Sequence, residues 1–433
     1  MKTAFSSLLL AVALTGYSAA PNTADYVVHE WGTFTSLQGA DGMQLTWRPE
    51  IGADLPKFVY LDNGQKSVGA GYPLMSIFAK KFRAARQRME TPVLYFYSPK
   101  PLEVDVEVRF PQGTVTEWFP RVSHAGPAVA PKVFNLPGLK HTDSFIRWDN
   151  VMIRPDLKHD ELQLKHDGKQ SHYYPAREAR ANPLTITTGK GGKKLTEMET
   201  LLFYRGIGTF EAPLKATINS DESLVQLRNT GLKPISRAVF LEVRDGRARF
   251  QTIDGVKKTA DVKWKPGKNL RPLEQVSKEL ATELVSLLVS EGLYEAEAKA
   301  MVNNWRESWF EENGVRVLYP LAREWTDGVL PLNLNPRPKE IVRVMIGRAE
   351  LIPPSSQWTL TQAIVKYANP ATRAEAVKMA RDLHLGRFLL PAIESTGGPH
   401  AAKAFRLAAN NLAAVLRQPK GQIANLFSAN AGF

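Results

Sequence analysis

One stretch of the chain alternates between apolar and polar residues without interruption. Its apolar positions are Leu102, Val104, Val106, Val108 and Phe110, and the intervening positions are Glu103, Asp105, Glu107 and Arg109. Because successive side chains of a strand point to opposite faces, this pattern predicts a strand with one face on a core and the other in water. Strands of this kind are typical of antiparallel sheets, so the sequence predicts such a sheet here.

A second extended region predicts a hairpin with a definite register. Two apolar runs flank Asp245-Gly246, and this dipeptide supplies the two positive φ angles that a type I′ turn needs. The turn places Glu242 opposite Arg249 on the polar face of the pair. A further Asp-Gly pair just downstream predicts a third strand over 256–264, and therefore a three-stranded meander.

Near residue 270 the apolar spacing changes from the strand period to the helix period. Two helices are predicted between 273 and 312, followed by two strands that return from them between 315 and 346. From Thr359 onward, short helical segments are separated by Gly and Pro residues, which end helices. The C-terminal part is therefore expected to be a small group of helices.

We predict from these patterns an α+β fold made of three parts in series. An antiparallel β-sandwich-like N-terminal region precedes a helical hairpin with return strands, and a small α-helical C-terminal unit follows. The predicted segments are a signal peptide at 1–24, a β-rich domain at 25–268, the helical hairpin with return strands at 269–356 and the helical C-terminal unit at 357–433.

The N-terminus has the three parts of a secretory signal peptide. Lys2 supplies a positive charge, residues 4–14 are almost entirely apolar, and small residues including Gly16 follow. The apolar stretch is shorter than the roughly 20 residues that a membrane-spanning helix needs. We expect a mature chain that begins between Ala19 and Asp25, in a protein that is periplasmic or secreted.

The cysteine count excludes several classes of site. The chain has 433 residues and 0 Cys, so disulfides, thiolate metal sites and a cysteine nucleophile are ruled out. Sequence motifs for a phosphate-binding loop, a dinucleotide site, a serine nucleophile elbow and a zinc protease helix are also absent. The sequence therefore indicates no reaction through a known motif.

Several stretches resemble one uncharacterised family of exported bacterial proteins. The predicted mature chain opens with Val-His-Glu-Trp-Gly-Thr-Phe-Thr-Ser at 28–36, and further similar stretches lie at 89–97, 203–208, 343–348 and 385–388. The resemblance covers most of the chain. It implies export, and it implies no activity that could be assigned to these residues.

Positive charge is in excess and unevenly placed. The formal net charge is +13, with five cations between Lys80 and Arg88 and six between Lys257 and Arg271. Patches of this kind attract polyanions. We expect an anionic polysaccharide or a membrane surface as partner, and no nucleic acid because no nucleic-acid-binding motif is present. The sequence indicates no oligomeric state.

Histidine and carboxylate residues suggest a metal site in the β-rich domain. His141 and Asp143 are two positions apart, so an extended backbone would place both on one face. His29 and Glu30 are adjacent within an apolar strand, so at most one of them can join that site unless the strand has a bulge there. His124 is the first candidate for a further ligand. A divalent ion held by such residues could generate hydroxide for hydrolysis.

Three other residues are candidates for contact with a substrate. Arg205 lies in an apolar strand segment, where a buried guanidinium would need a carboxylate or an anionic ligand. Trp325 and Asp327 lie close together in a predicted loop, and an aromatic ring beside carboxylates suits a glycan site. We therefore take Arg205, Trp325 and Asp327 as predicted substrate-binding residues.

Two hypotheses about function remain open at this point. The first is a non-enzymatic exported protein that binds or scaffolds material of the cell envelope, such as an anionic glycan, and that needs no cofactor. The second is a metal-dependent hydrolase with a His and carboxylate site in the β-rich domain. Convergence of the predicted ligands in one pocket would favour the hydrolase, whereas a flat basic face with exposed Trp would favour the binding protein.

Overall fold

The computed structural model describes residues 23–47, 55–61, 85–126, 143–190, 193–398 and 401–417. The predicted signal peptide lies outside the described residues except at its C-terminal end, and His141 also lies outside them. The structure contains 30% helix and 42% strand, which confirms the predicted α+β class. None of the helices in the described ranges is long and apolar enough to cross a membrane.

Strands make up most of the structure before residue 273. In chain order, the strands of the described residues are β1 (Thr23–Gln38), β2 (Tyr60–Leu61), β3 (Gln87–Tyr97), β4 (Leu102–Phe110), β5 (Gly113–Phe119), β6 (His124–Gly126), β7 (Ser144–Ile153), β8 (Leu184–Lys190), β9 (Lys193–Glu199), β10 (Leu202–Gly208), β11 (Leu214–Ile218), β12 (Leu224–Asn229), β13 (Ile235–Arg244), β14 (Arg247–Val256), β15 (Thr259–Lys263), β16 (Arg271–Pro272), β17 (Gly314–Leu321), β18 (Leu332–Asn335) and β19 (Arg337–Leu351).

Helices follow, first as the predicted hairpin and then as the C-terminal unit. The α-helices of the described residues are α1 (Leu273–Ser290), α2 (Glu295–Arg306), α3 (Arg323–Val329), α4 (Pro354–Ala368), α5 (Arg373–Arg381), α6 (Leu389–Thr396) and α7 (Lys403–Leu416). The helix α1 is followed by Gly292, whose φ of 111° is a value that favours glycine. Helix α2 continues into a wider turn at Glu307–Glu311.

The largest sheet has 10 strands in the order β16-β14-β13-β17-β19-β1-β3-β10-β5-β2. Strand β1 lies in its interior, parallel to β19 and antiparallel to β3, so the sheet is mixed. Every residue of β1 from Val28 to Gln38 is buried, as expected of a strand covered on both faces. Because β17 and β19 lie in the same sheet as β1, the predicted boundary at 268/269 does not separate two hydrophobic cores.

Two smaller sheets complete the β-rich part. One has six strands in the order β18-β4-β7-β8-β9, with β6 paired to β7, and the other has three in the order β11-β12-β15. Strand β4 has the predicted bounds and alternates between buried and more accessible residues. Its buried residues Val104, Val106 and Val108 belong to the same core as the ten-stranded sheet.

The β13–β14 hairpin has the predicted register, with Glu242 opposite Arg249. Asp245 and Gly246 have φ angles of 49° and 73°, which are the positive values of a type I′ turn. The predicted meander is wrong, because β15 pairs with β12 of the three-stranded sheet instead of β14. Gly255, near the end of β14, has a φ of 65°, a value that favours glycine.

A second hydrophobic core holds the C-terminal helices α4 to α7. It also includes Leu37 and Trp47 from the start of the described chain and Ile352, which follows β19. The packing unit therefore begins close to the predicted start at 357. It contacts the ten-stranded sheet through the turn Gly386–Phe388, among other contacts.

Candidate functional site

The five stretches that carry the resemblance meet around the middle of the ten-stranded sheet. Four of them lie in β19, β1, β3 and β10, which are consecutive in the sheet order. The fifth contains the turn Gly386–Phe388, and Arg387 of this turn is 3.0 Å from Glu90 of β3. Stretches that are far apart in the sequence therefore form one region of the fold.

Glu30 is buried on one face of β1 and pairs with Arg343 of β19. Its carboxylate accepts hydrogen bonds from Nε of Arg343, at 2.5 Å, and from the hydroxyl of Tyr204. Burial alone would lower the pKa of Arg343, but the negative charge of Glu30 together with the hydrogen bonds to Glu30 and Asp327 outweighs burial and raises that pKa. Glu30 therefore forms a buried ion pair that joins β1 to β19.

Two predicted substrate-binding residues, Trp325 and Asp327, lie on the short helix α3 beside this pair. The carboxylate of Asp327 is 2.7 Å from Nη1 of Arg343 and 2.8 Å from Nε of Arg323. The ring of Trp325 packs edge-on against Phe34, with the ring centroids 5.7 Å apart. Both side chains hold α3 against the sheet, although the side chain of Asp327 is still 46% exposed.

His29 points to the other face of β1 and forms a buried dyad with Glu297 of α2. Its Nδ1 atom is 2.7 Å from Oε2 of Glu297, and its Nε2 atom has no hydrogen-bond partner among the described residues. The hydroxyl of Tyr97 donates to the other carboxylate oxygen at 2.7 Å. Burial and the charge of Glu297 raise the pKa of Tyr97, so its phenol remains a donor.

A histidine oriented by a carboxylate can act as a general base where a substrate can reach it. The side chain of His29 is only 2% exposed, and the ring of Tyr294 covers it at a centroid distance of 4.3 Å. Glu297 also accepts a hydrogen bond from the backbone N–H of Tyr294, at 2.8 Å, at the start of α2. In this arrangement the dyad anchors α2 to β1.

Two other predicted metal ligands, His124 and Asp143, lie at the surface. Nε2 of His124 is 3.2 Å from Asp149, and Asp143 pairs with Arg109 at 2.5 Å. Within the ranges that the structure describes, no group of three or more His, Asp or Glu side chains is placed to hold a metal ion. The described candidates therefore do not converge, and the part of His141 stays a prediction because that residue lies outside the described ranges.

Arg205 is a buried residue of the ten-stranded sheet. It is 4% exposed, and it lies opposite Glu117 in the β10–β5 pair. Its Nη2 atom is also 3.4 Å from the hydroxyl oxygen of Thr91. A carboxylate across the strand pair is the kind of partner that a buried arginine requires. This placement does not present the guanidinium to a substrate in solution.

A second buried charge cluster was not predicted from the sequence. Arg316 of β17 and Arg348 of β19 share the carboxylate of Glu350, at 3.0 and 2.8 Å from Oε2. Burial lowers the pKa of Arg316, whereas in Arg348 the carboxylates of Glu350 and Glu312 outweigh burial and raise the pKa. The available signal is the spacing of Arg348 and Glu350, since residues two apart in a strand share a face.

This cluster reaches the C-terminal unit through Arg387. The guanidinium of Arg387 contacts Glu90, and its backbone N–H donates to Oε1 of Glu312 at 3.0 Å. The ring of Phe388 lies under the guanidinium groups of Arg348 and Arg387, at 4.9 and 5.1 Å from its centroid. The charged residues of the cluster thus join the C-terminal unit to strands β3 and β19.

The exposed lysines near the three-stranded sheet differ from these buried charges. They lie on the turn before β15, on β15 itself and in the loop after it, and we call them the basic face: Lys257, Lys258, Lys263, Lys265 and Lys268. All five are exposed, and none forms an ion pair with another residue of the described chain. The other predicted basic run is described only from residue 85 onward.

Comparison with known proteins adds no family to this description. No protein-family model matches the chain, and no curated protein matches it. Among solved structures, it is similar to the Mu homology domain of Fcho1 from Danio rerio, determined with a bound Eps15 peptide. That match covers 77% of this chain and 98% of that chain, at 8% sequence identity and a TM-score of 0.26. A likeness at this level supports no conclusion about function.

Proposed function

We propose that this chain is an exported bacterial protein of the cell envelope that binds anionic material through its basic face, without catalysis. Export is supported by the N-terminal pattern that begins with Lys2, and by the resemblance to exported proteins. The predicted partner is an anionic surface or polymer, which the net charge of +13 also favours.

The proposal rests on the difference between the buried charges of the sheet and the exposed lysines of the basic face. The buried charges of the sheet, such as Glu30 with Arg343 and Glu350 with Arg348, are paired with each other. The five lysines of the basic face are exposed and have no acidic partner in the described ranges. Clustered cations of one sign raise the local concentration of a polyanion and speed its association.

Binding to a defined anionic polymer tests the proposal. Mature protein is titrated with polygalacturonate at low and at high salt, with neutral dextran as the uncharged comparison. The triple variant Lys263→Gln, Lys265→Gln, Lys268→Gln is expected to bind polygalacturonate about tenfold more weakly at low salt. The difference should shrink at high salt because exposed charges are screened there.

A second triple variant provides the matched control. Lys278, Lys299 and Lys366 are lysines of the helical parts that pair with Glu274, Glu295 and Glu375. Their replacement by Gln removes the same total charge but leaves the basic face intact. If both triple variants lose affinity equally, net charge alone governs binding and the proposed face is wrong. If dextran binds as well as polygalacturonate, the proposed electrostatic recognition is wrong.

A further inference from the structure

Two turns at one end of the three-stranded sheet are tied together by Asn229. Its side-chain N–H groups donate to the carbonyls of Lys233, at 2.8 Å, and Val256, at 3.1 Å. Its backbone N–H donates to the carbonyl of Lys258 at 2.8 Å, and its Oδ1 accepts from the N–H of Gly231 at 2.9 Å. We call residues 230–234 and 257–258 the tip.

The tip exposes an apolar side chain among cations. Leu232 has a relative exposure of 103%, so it packs against nothing. Lys233 follows it in the chain, and Lys257 and Lys258 are on the second turn that Asn229 joins to this one; all three lysines are exposed. The hydrogen bonds of Asn229 fix the backbone on both sides of this leucine, so its exposure is a property of an ordered turn. A surface with both negative charge and an apolar phase could bind the lysines and bury Leu232 at the same time.

We propose that the tip docks on the surface of an anionic phospholipid bilayer, a partner that rests on the proposed function and specifies its anionic material. Leu232 would enter the boundary between headgroups and acyl chains, and the lysines would contact headgroup phosphates. A soluble anionic polysaccharide could neutralise the same lysines, but it provides no apolar phase for Leu232. The leucine is therefore the feature that favours a bilayer.

The charge around the tip is compatible with this partner. Lys233 lies 3.4 Å from Glu324, which is the carboxylate that competes with a phosphate there. Lys257 and Lys258 have no ion pair with another described residue. Three lysines against one glutamate leave the tip cationic. Strand β15 then runs away from the tip for roughly 13 Å, at about 3.3 Å per residue, so Lys265 lies farther from a bilayer docked there.

Vesicle partitioning of the mature protein tests the inference. The probe is a vesicle of phosphatidylcholine with one quarter phosphatidylglycerol, compared with pure phosphatidylcholine, and bound protein is measured by co-sedimentation. Leu232→Ser is expected to lower partitioning to the anionic vesicle about tenfold and to leave polygalacturonate binding unchanged. Leu407, a leucine of α7 that is 60% exposed, provides the control Leu407→Ser, which should change neither.

A pair of lysine variants separates the tip from the rest of the basic face. Each lysine near an anionic bilayer is worth about fivefold in binding, so Lys257→Gln with Lys258→Gln should weaken vesicle binding more than Lys265→Gln with Lys268→Gln. Equal losses from both pairs would overturn docking through the tip.

The outcomes distinguish this inference from the proposed function. Binding to polygalacturonate without binding to anionic vesicles would overturn the inference and leave the proposed function standing, with a glycan as partner. Equal vesicle binding by Leu232→Ser and Leu407→Ser would likewise overturn the inference alone. Failure to bind either probe would overturn both. Vesicle binding that depends on Leu232 and on phosphatidylglycerol supports both.

Discussion

The guanidinium of Arg387 donates hydrogen bonds to both carboxylate oxygens of Glu90, at 3.0 and 3.3 Å. This contact joins two hydrophobic cores, because Arg387 belongs to the C-terminal helical unit and Glu90 to strand β3 of the ten-stranded sheet. Glu90 is 1% exposed, and Arg88 also lies 3.2 Å from it. The attachment of the C-terminal unit therefore depends partly on a buried carboxylate.

Replacement of this carboxylate should weaken the whole fold. Glu90→Gln removes the buried carboxylate that Arg387 and Arg88 both contact, and leaves Arg387 with its longer contact to Glu312 at 3.4 Å. We therefore expect the free energy of unfolding to fall by about 3 kcal/mol. Urea unfolding at neutral pH measures the change. Glu375→Gln is the matched control, since Glu375 is 54% exposed and forms a surface pair with Lys366, and it should cost about 1 kcal/mol or less. Equal effects of the two variants would contradict the importance of the buried pair.

The same pair predicts a dependence of stability on pH. Burial would raise the pKa of Glu90, but the positive charges of Arg387, Arg88 and Arg348 outweigh burial and lower the pKa well below its usual range. A carboxylate with a lowered pKa in the folded state stabilises the protein above its unfolded pKa of about 4.3 and loses that contribution as the pH falls further. From about pH 6 to pH 3, the wild type should therefore lose more stability than Glu90→Gln. Parallel losses would contradict this assignment.

The turn of the β13–β14 hairpin gives a prediction that depends on the backbone alone. Gly246 has a φ of 73°, and an added Cβ would meet no atom within 4 Å. Gly246→Val should therefore destabilise by about 1–3 kcal/mol through backbone strain and not through a clash. Gly189 of β8 also has open space but no positive φ, so Gly189→Val should leave the melting temperature nearly unchanged. A Gly246→Val protein as stable as the wild type would contradict the type I′ turn.

The features of this fold that the sequence predicts are local ones. The alternation over Leu102–Phe110 and the turn residues Asp245 and Gly246 depend on neighbours within a few positions, and both predictions are confirmed. The parallel pairing of β1 with β19 joins residues about 300 positions apart, as in the contact of Glu30 with Arg343, which are 313 apart. The spacing of apolar residues within a strand does not indicate which distant strand will lie beside it. The predicted boundary at 268/269 therefore separates strands that belong to one sheet.

The partners at the candidate site are also distant in the sequence. The sequence identifies His29 as a polar residue in an apolar strand that needs a partner. The partner in the structure is Glu297, 268 positions away. Glu297 lies in the first turn of α2, where a glutamate is equally well explained as a helix cap. Likewise, Arg348 and Glu350 share a face of β19, but the burial of Arg316 beside them depends on the neighbouring strand. Residue type alone therefore predicts that a partner is needed without predicting which one.

Export makes a prediction about the N-terminus of the mature protein. The positive Lys2, the apolar residues 4–14 and the small residues after them should direct cleavage by a signal peptidase. N-terminal sequencing of protein recovered from the periplasm or the medium should give a start between Ala19 and Asp25. Lys2→Glu reverses the positive charge of the leader and should reduce export. A recovered protein that still begins with Met1 would contradict the prediction.

Metal analysis tests the alternative function, a metal-dependent hydrolase. Of its predicted ligands, Glu30 is bound to Arg343, so it could not coordinate a metal without breaking a buried ion pair. His29 contacts Glu297 through Nδ1 only, but its side chain is 2% exposed and the ring of Tyr294 covers it, so a metal could reach Nε2 only if Tyr294 moved. Asp143 remains accessible at the surface beside Arg109. His141 is two positions before it in the sequence. Under the proposed binding function, we expect the purified mature protein to contain less than about 0.1 divalent ion per chain, before and after incubation with Zn²⁺, Mn²⁺ or Ca²⁺.

A stoichiometric metal would instead support the hydrolase, and its ligands can then be identified by substitution. His141→Ala should abolish metal binding in that case, whereas His159→Ala, which removes a histidine outside the predicted set, should not. Because imidazole must be neutral to bind a metal, affinity should also fall below about pH 6.5. The β13–β14 hairpin should remain folded in His141→Ala, and a loss of the whole fold would show that His141 is structural. Metal binding that survives His141→Ala would place the site elsewhere in the chain and would remove the hydrolase model built on His141 and Asp143.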